Sequence, residues 1–584
     1  MAKYDNFSKE ELIELLKKQD KELARKKYGL VWDSEKEPER VVLNCAKNLP
    51  ILKSVNEKDI KTNDDDYNVM IEGDNYHALQ VLNYTHKGKI DVIYIDPPYN
   101  TGNNDFIYND RFVEKEDGYR HSKWLNFMEK RLELAKELLK EEGIISISIN
   151  EIEHSNLKLL LDKVFGEKNF IANLPTIMNL KGNNDSFGFA DTHEYTLIYA
   201  KDKNVCTINL FNIDEEELDD WQEDSYGLFK KADTLRRTGQ DAPREKRPKG
   251  WFPIFINNDT HKIYVTENNI PLNEDDVILY PINEEGIELS WSWSKTKIIK
   301  ENYNLLLTVA RNGGYNIYKK QRPKVGDLPT KKPKTIFYKA EYSTSTATNE
   351  LKKIFGKKVF NNPKPVPLIE DLIFLTGAKD ALILDFFAGS GTTGHAVIEL
   401  NKQDAGTRKF ILCTNNEGNI AEEVCYPRIS KVIHGYNENG NGEFVDGLGG
   451  NLKYFKTDFV VNSKNRTQTK INMAKQCSEM LCLKTGIYNL ITEQSNSFKI
   501  FDNNKHNQFL CVYFDFFDDE MSLFIEKLKK LDGNKFIFVF SLDDNLDTDI
   551  FSDIKDAKIE PIPQKILDIY RKIAKEHIKG EIND

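Results

Sequence analysis

The 584-residue chain predicts an α/β fold built on a doubly wound, largely parallel sheet. Three observations predict it. Apolar runs such as Ile90-Asp91-Val92-Ile93-Tyr94-Ile95 and Leu382-Ile383-Leu384 are short and nearly continuous, as in strands buried on both faces. Helical stripes alternate with them. Two of the runs end in loops rich in ligand chemistry, Asp96-Pro97-Pro98-Tyr99 and Asp385-Phe386-Phe387-Ala388-Gly389-Ser390-Gly391. In open α/β sheets ligands bind at the carboxyl ends of strands.

The elements follow in order. Ser8-Lys9-Glu10-Glu11 is a capping box, and Leu12, Leu15, Leu16 and Leu23 follow at roughly helical spacing, which predicts an amphipathic N-terminal helix. Val69-Met70-Ile71-Glu72 reads as a strand leading through Gly73-Asp74-Asn75 into a helix around His77 to Leu82. Trp124, Phe127, Met128, Leu132, Ala135 and Leu139 form the core stripe of a helix that Gly143 should stop, before a strand at Ile144 to Ile149. His193 to Ala200 reads as a further strand, antiparallel to its neighbour. Between 205 and 350 the pattern loosens into short β-like runs such as Lys262-Ile263-Tyr264-Val265. Residues 351 to 362 are expected to return to the sheet, with a helix from Leu368 to Leu375 and a strand at Arg408 to Cys413. Residues beyond 440 read as a separate α/β unit, with strands at Phe509 to Phe514 and Lys535 to Phe540.

Asp96, Pro97, Pro98 and Tyr99 make a complementary set for a flat ring that bears an exocyclic amine. A carboxylate and a carbonyl stiffened by proline accept the two amine hydrogens, and the phenol ring stacks on the base. The second loop contains the pattern G-x-G-x-x-G at Gly389, Gly391 and Gly394, which raises a dinucleotide site. A P-loop is excluded, because no Gly-Lys-Ser/Thr ending follows. The small, apolar loop Phe386, Phe387, Ala388, Gly389, Ser390, Gly391, Thr392 and Thr393 also suits the amino-acid portion of S-adenosylmethionine, which carries no pyrophosphate. An amine clamp has no use in a nicotinamide enzyme. A methyl donor site and an amine clamp are both needed to methylate an amino group.

With the clamp first and the glycine motif far downstream, the chain resembles the amino-group DNA methyltransferases in the β-arrangement, a Rossmann-like sheet with circularly permuted motif order. It further resembles the modification (Mod) subunits of Type III restriction–modification systems. The residues carrying that likeness are Asp96 to Phe106, Lys27 to Trp32, His193 to Lys201, Pro363-Lys364-Pro365 and Ala421 to Arg428. The resemblance implies adenine-N6 methylation of a base flipped from duplex DNA, with S-adenosylmethionine as donor. It implies that Lys364 and Pro365 line the methionine end of the donor, and that a companion helicase–nuclease (Res) subunit and a second copy of the chain are partners. Asn415, Asn416 or Glu417, after the Arg408 strand, is a candidate for the donor ribose, and Asp74 and Asn75 are candidates for donor contact. N4-cytosine methylation, RNA or protein-amide methylation, and a non-catalytic DNA-binding scaffold are the alternatives. The Asp in first place of the clamp resembles the adenine enzymes.

The net charge of −11 is unexpected for a DNA partner, but local patches determine phosphate contact. One cluster holds Arg236, Arg237, Arg244, Lys246, Arg247 and Lys249. Another lies in residues 319 to 358, with twelve Lys or Arg against three Asp or Glu, among them Lys319, Lys320, Arg322, Lys331 and Lys332. These are the expected phosphate contacts. The division that follows is 1–55 N-terminal segment, 56–204 amine-clamp half, 205–350 target-recognition insert, 351–438 cofactor half, and 439–584 a small folded domain, for which the resemblance implies a dimerisation or partner-binding role. Seven cysteines without paired C-x-x-C spacing argue against structural zinc and disulfides and fit a reducing cytoplasm. No set of His, Asp and Glu has metal spacing, so no metal is expected. No apolar run is long enough to span a bilayer, and the start lacks a signal peptide's apolar segment.

Overall fold

The structure is a computed structural model. It describes Ile13, Leu16, Lys17 and residues 39–578, apart from 104, 110, 183–187, 214–217, 311–312, 324–328, 441, 464, 493–496, 516–519 and 543–544. The expected N-terminal helix, but for Leu16, and the segment Lys27 to Trp32 lie outside the described residues.

The chain forms two compact units, residues 210–333 and the remainder. The larger unit is built on a nine-stranded sheet. Its strands are β1 (Leu49–Ser54), β2 (Tyr67–Glu72), β3 (Ile90–Ile95), β4 (Leu139–Ile149), β5 (Phe170–Ile177), β6 (His193–Ala200), β7 (Leu382–Asp385), β8 (Lys409–Thr414) and β9 (Asn451–Val460), in the order β1-β9-β2-β8-β7-β3-β4-β6-β5. The six strands from β9 to β4 are parallel, and β1, β6 and β5 join antiparallel. Ile90, Val92, Ile93, Tyr94 and Ile95 of β3 are all buried. Successive strand residues face opposite sides of a sheet, so both faces are covered.

The helices that matter for the site are α1 (Arg40–Lys47), α2 (Asn75–Thr85), α3 (Arg120–Leu138), α4 (Glu151–Phe165), α5 (Thr344–Phe355), α6 (Val366–Thr376), α7 (Thr392–Asp404) and α8 (Tyr426–His434). Two local expectations need correction. Gly143 does not stop α3, which ends at Leu138; β4 starts at Leu139 and runs through Gly143. A Cβ there would lie 3.1 Å from the Ile90 carbonyl, so the glycine serves close strand approach rather than helix termination. Residues 351–355 do not return to the sheet but finish α5, whose apolar Ala347, Leu351 and Ile354 are buried at helical spacing.

The smaller unit begins at 210 and ends at 333, where the sequence suggested 205 and 350. It holds a four-stranded antiparallel sheet (Trp221–Asp224, Gly227–Thr234, Tyr315–Gln321, Leu305–Val309) and a three-stranded one (Ile263–Tyr264, Ile254–Ile256, Val277–Leu279). Leu235, Phe252, Ile254, Trp291, Ile298 and Ile317 are in its core.

Residues 439–584 do not stand apart as the sequence suggested. β9 joins the main sheet between β1 and β2. A five-stranded sheet (489–492, 498–502, 508–513, 534–540, 557–562) follows, and then the helix Gln564–His577. That helix puts Ile566, Leu567, Tyr570 and Ile573 into the same apolar cluster as Leu79, Leu82 and Leu138. Its Tyr570 hydroxyl donates to the Pro50 carbonyl at 2.7 Å, and His577 lies 2.8 Å from the Tyr76 hydroxyl. An amphipathic helix needs an apolar partner, and here the partner is the main domain.

Arg131 of α3 is fully buried and pins the sheet's carboxyl edge from behind. It makes a forked pair with Glu39 (3.0 and 2.6 Å), donates to the Asn75 side-chain oxygen at 2.5 Å and lies 3.6 Å from the Phe127 ring centre. Arg131→Met leaves the buried Glu39 without its cation. We expect it to destabilise the fold by about 3–5 kcal/mol in chemical denaturation.

Candidate active site

Register brings the two motif loops together. β7 pairs parallel with β3, Ile383 opposite Val92 and Leu384 opposite Ile93. Both strands therefore end on one edge, so Asp96, just after β3, and Asp385, the last residue of β7, are neighbours there. β2 and β8 end on the same edge, which adds Asp74, Asn75, Asn415 and Glu417.

The clamp loop is held from several sides. The Trp124 indole donates to the Pro98 carbonyl at 2.7 Å. Asn100 adopts a left-handed backbone (φ 58), which asparagine tolerates, and its amide donates to the buried Glu153 at 2.6 Å. His121 meets the same Glu153 oxygen at 2.6 Å. The Asp96 carboxyl is half-buried. The Tyr99 hydroxyl is 2.9 Å from Asp96 Oδ1 and 3.0 Å from Glu194 Oε2. Lys364, 8% exposed, lies 3.1 Å from each carboxylate and 2.6 Å from the Tyr99 hydroxyl. Burial raises the Asp96 carboxyl above its usual range, against the pull of Lys364. Burial, with Asp96 and Glu194 adding to it, pushes the Tyr99 phenol well up. Burial works against the Lys364 ammonium, yet Asp96 and Glu194 outweigh it and hold the group well above its ordinary range.

The glycine loop turns tightly from β7 into α7. Gly389 and Gly391 have φ 48 and 77, the left-handed region that favours glycine. Gly394 serves packing: a Cβ there would lie 2.7 Å from Ile429 and 2.9 Å from Leu412. Asp385 accepts from the Phe387 amide at 2.9 Å and the Thr393 hydroxyl at 2.5 Å. Burial pushes its carboxyl up to about 7, and the Asp96 charge acts in the same direction. Asn75 donates to the Phe386 carbonyl at 3.0 Å, so it braces the loop. Asp74 caps α2, accepting from the Tyr76 and His77 amides. Asn415 and Glu417 are exposed at the end of β8, 3.4 Å apart.

Arg428 supports this loop from α8. It is fully buried and donates to Thr392 Oγ1 at 2.8 Å and Ser390 Oγ at 3.2 Å. It also lies 3.3 Å from His395 Nδ1 and 3.7 Å from Glu350. Glu350, His395 and Glu399 converge closely enough for a metal ion, a grouping their positions in the sequence did not suggest. The cation they surround is Arg428. With His395 Nδ1 accepting from it, Nε2 carries the proton toward Glu399, 2.9 Å away.

Glu194 and Arg428 fall within segments that carry the family likeness, yet the sequence assigns neither a role of its own. The available signals were an acid at the start of a buried strand and an arginine beside the apolar stripe Ile429, Val432 and Ile433 of α8.

The basic residues of the smaller unit are in unequal situations. Arg247, Lys249 and Lys332 are exposed. Arg244 pairs with Glu288 at 2.7 Å and lies over the Trp251 ring at 4.7 Å. Lys246 donates to the Gln240 carbonyl at 2.7 Å. Arg236 donates to the Ile282 carbonyl, and Arg237 is held by a backbone bond to Ser290. Lys331 lies in a short strand paired with residues 211–212, and Lys319 lies 3.9 Å from Asp233. Lys320 and Arg322 both pair with Asp224, each at 2.6 Å, and the Arg322 bonds chiefly hold that carboxyl far below its usual range. Their charge is answered inside the fold, which sets them apart from the exposed Arg247, Lys249 and Lys332.

Residues 90–422 match the family described as DNA methylase. The chain is 50% identical over 435 residues to the Type III restriction-modification enzyme EcoPI Mod subunit of Escherichia phage P1, covering 70% of this chain and 67% of that protein. The chain belongs to the DNA methylase family, among the Type III Mod subunits. A second relative of this DNA methylase is the Type II methyltransferase M.KpnI of Klebsiella pneumoniae, 36% identical over 61% of this chain and 82% of that protein. Among solved structures, the M1.HpyAVI-SAM complex aligns at 13% identity and TM-score 0.27, over 62% of this chain and 97% of that one. No helix among the described residues is long and apolar enough to cross a membrane.

Proposed function

We propose that Asp96, Pro97 and Tyr99 clamp an adenine flipped out of duplex DNA, and that the loop from Asp385 to Thr393 holds S-adenosylmethionine beside it. The enzyme transfers a methyl group from that donor to adenine N6. The observation that carries the assignment of roles is the adjacency of β3 and β7, which delivers both loops to one sheet edge.

The loop fits the donor's amino-acid end. Its glycines permit close backbone approach, and Asp385 is a buried carboxylate that suits an ammonium partner. The donor supplies an electrophilic methyl on a sulfonium sulfur. The protein must orient the amine. Adenine N6 is conjugated with its ring, so its lone pair is a poor nucleophile. Two hydrogen bonds, to Asp96 and to a proline carbonyl, favour a pyramidal nitrogen whose lone pair faces the methyl. The Pro98 carbonyl already accepts from Trp124, which leaves Pro97 for the amine. After transfer the nitrogen proton passes to Asp96 or water.

Flipping costs a few kcal/mol, and stacking on Tyr99 offsets roughly 1–3 kcal/mol of it. Tyr99→Ala should therefore raise the KM for DNA by about tenfold or more while leaving donor affinity unchanged in calorimetry. Phosphate contact falls to the exposed cations of residues 210–333, Arg247, Lys249 and Lys332 foremost. A companion Res subunit and a second copy of the chain are the partners we infer from the Mod relatives. Labelled donor and unmethylated duplex DNA, hydrolysed to nucleosides after reaction, test the reading. Label in N6-methyldeoxyadenosine supports it, and label in N4-methyldeoxycytidine overturns the choice of base.

A further inference from the structure

Lys364 is equidistant from two carboxylates. Its Nζ lies 3.1 Å from Asp96 Oδ1 and 3.1 Å from Glu194 Oε2. It is also 4.9 Å from the centre of the Tyr99 ring. The ammonium thus lies against one oxygen of the clamp carboxylate and near the face of the stacking tyrosine, where it competes with an amine for that oxygen. Asp96 Oδ1 becomes available to the amine only if this cation moves off it, and Glu194 is the second anion within its reach.

We propose that Lys364 and Glu194 form an ion-pair switch on Asp96. With the clamp empty, Lys364 holds Asp96 as an anion; when the target amine arrives, Glu194 retains the ammonium and Asp96 Oδ1 is released to accept the amine hydrogen. The inference rests on the reading of Asp96 as the amine clamp, and adds two residues that act through it.

Two consequences distinguish the switch from a structural role. The charged or titratable groups facing Asp96 are Tyr94 and Tyr99 from its own strand and loop, Glu194 from β6, Asp385 from β7, and Lys364 from the segment before α6. Lys364 is the one cation among the described residues that face Asp96. Removing it leaves Asp96 beside Glu194 and Asp385, and like charges favour the protonated carboxyl. A protonated Asp96 is a poorer acceptor for the amine, so the acid limb of the rate profile must move to higher pH. Removing Glu194 has the opposite sign. Asp96 loses a neighbouring anion, so its acid limb moves down, but Lys364 is left with Asp96 alone. A neutral amine then competes with a charge-assisted bond, the stronger of the two.

The test uses the full chain, saturating labelled S-adenosylmethionine and unmethylated genomic DNA, with single-turnover methyl transfer followed against pH. For Lys364→Met the acid limb should rise by at least about one pH unit. For Glu194→Gln it should fall, while kcat/KM for DNA drops by about tenfold. The double variant should recover part of that drop, because the competing cation is gone. A Lys364→Met profile that superimposes on wild type overturns the switch, as do losses that simply add in the double variant. Far-ultraviolet circular dichroism and thermal unfolding show that each variant is folded; if Lys364→Met is not folded, Lys364→Gln is read in its place. Asp96→Asn separates the two claims. If it is inactive with donor binding intact, the clamp reading stands whatever the switch variants do. If it turns over like wild type, the clamp reading itself is wrong.

Discussion

Asp96→Ala abolishes methyl transfer, with single-turnover rates falling by at least about 10²–10³-fold, while donor affinity stays within about twofold of wild type. The large effect on rate follows from the clamp's purpose. The carboxylate gives most where positive charge grows on nitrogen, in the transition state, and less to a neutral amine in the ground state. The small effect on donor affinity follows from the separate supports of the two loops. The clamp is held by Trp124, Asn100 and Glu153, the glycine loop by Asn75, Thr393 and Arg428. Lys364 keeps Glu194 when Asp96 is gone, so no buried cation is orphaned. Turnover close to wild type in Asp96→Ala removes the assignment.

Gly391→Val gives the reverse pattern. The residue has φ 77, which a β-branched side chain adopts only under strain, at roughly 1–2 kcal/mol. An added Cβ lies 3.1 Å from Cys425 Sγ and 3.4 Å from the Cys425 carbonyl, so the larger valine overpacks the contact between the loop and Cys425, the residue before α8, at about 1–3 kcal/mol more. The loop must open to relieve both. The expected result is donor affinity weaker by about thirtyfold or more in calorimetry, with the KM for donor raised in proportion. Unchanged donor affinity contradicts the loop's role.

The fold was legible where burial and turn chemistry are written locally. The runs at 90–95 and 382–384 read as strands because they are apolar on both faces, and the glycine bend because only glycine suits its backbone. What the sequence hid was long-range. The strand at His193 to Ala200 reads as antiparallel to its neighbour, as β6 is to β4, but nothing local to Glu194 says that this neighbour is β4 and that Glu194 so reaches the edge where the parallel strands end. Arg428 carries the charge of a surface residue, and only the fold shows the polar groups of Ser390, Thr392, His395 and Glu350 packed around it. Lys320 and Arg322 counted as a basic patch because Asp224, nearly a hundred residues earlier, is their partner. Likewise, the final helix read as part of a separate domain because its apolar stripe does not announce which core it joins.

We propose that the two loops serve one reaction across one cleft. A crystal structure of the chain with duplex DNA and sinefungin, a donor analogue, tests it most directly. The expected structure has the adenine stacked on Tyr99, its N6 hydrogen-bonded to Asp96, and the analogue's transferable-group position about 3–3.5 Å from that nitrogen with its amino-acid end in the Asp385–Thr393 loop. An analogue bound away from that loop, or a flipped base whose amine faces something other than Asp96, contradicts it.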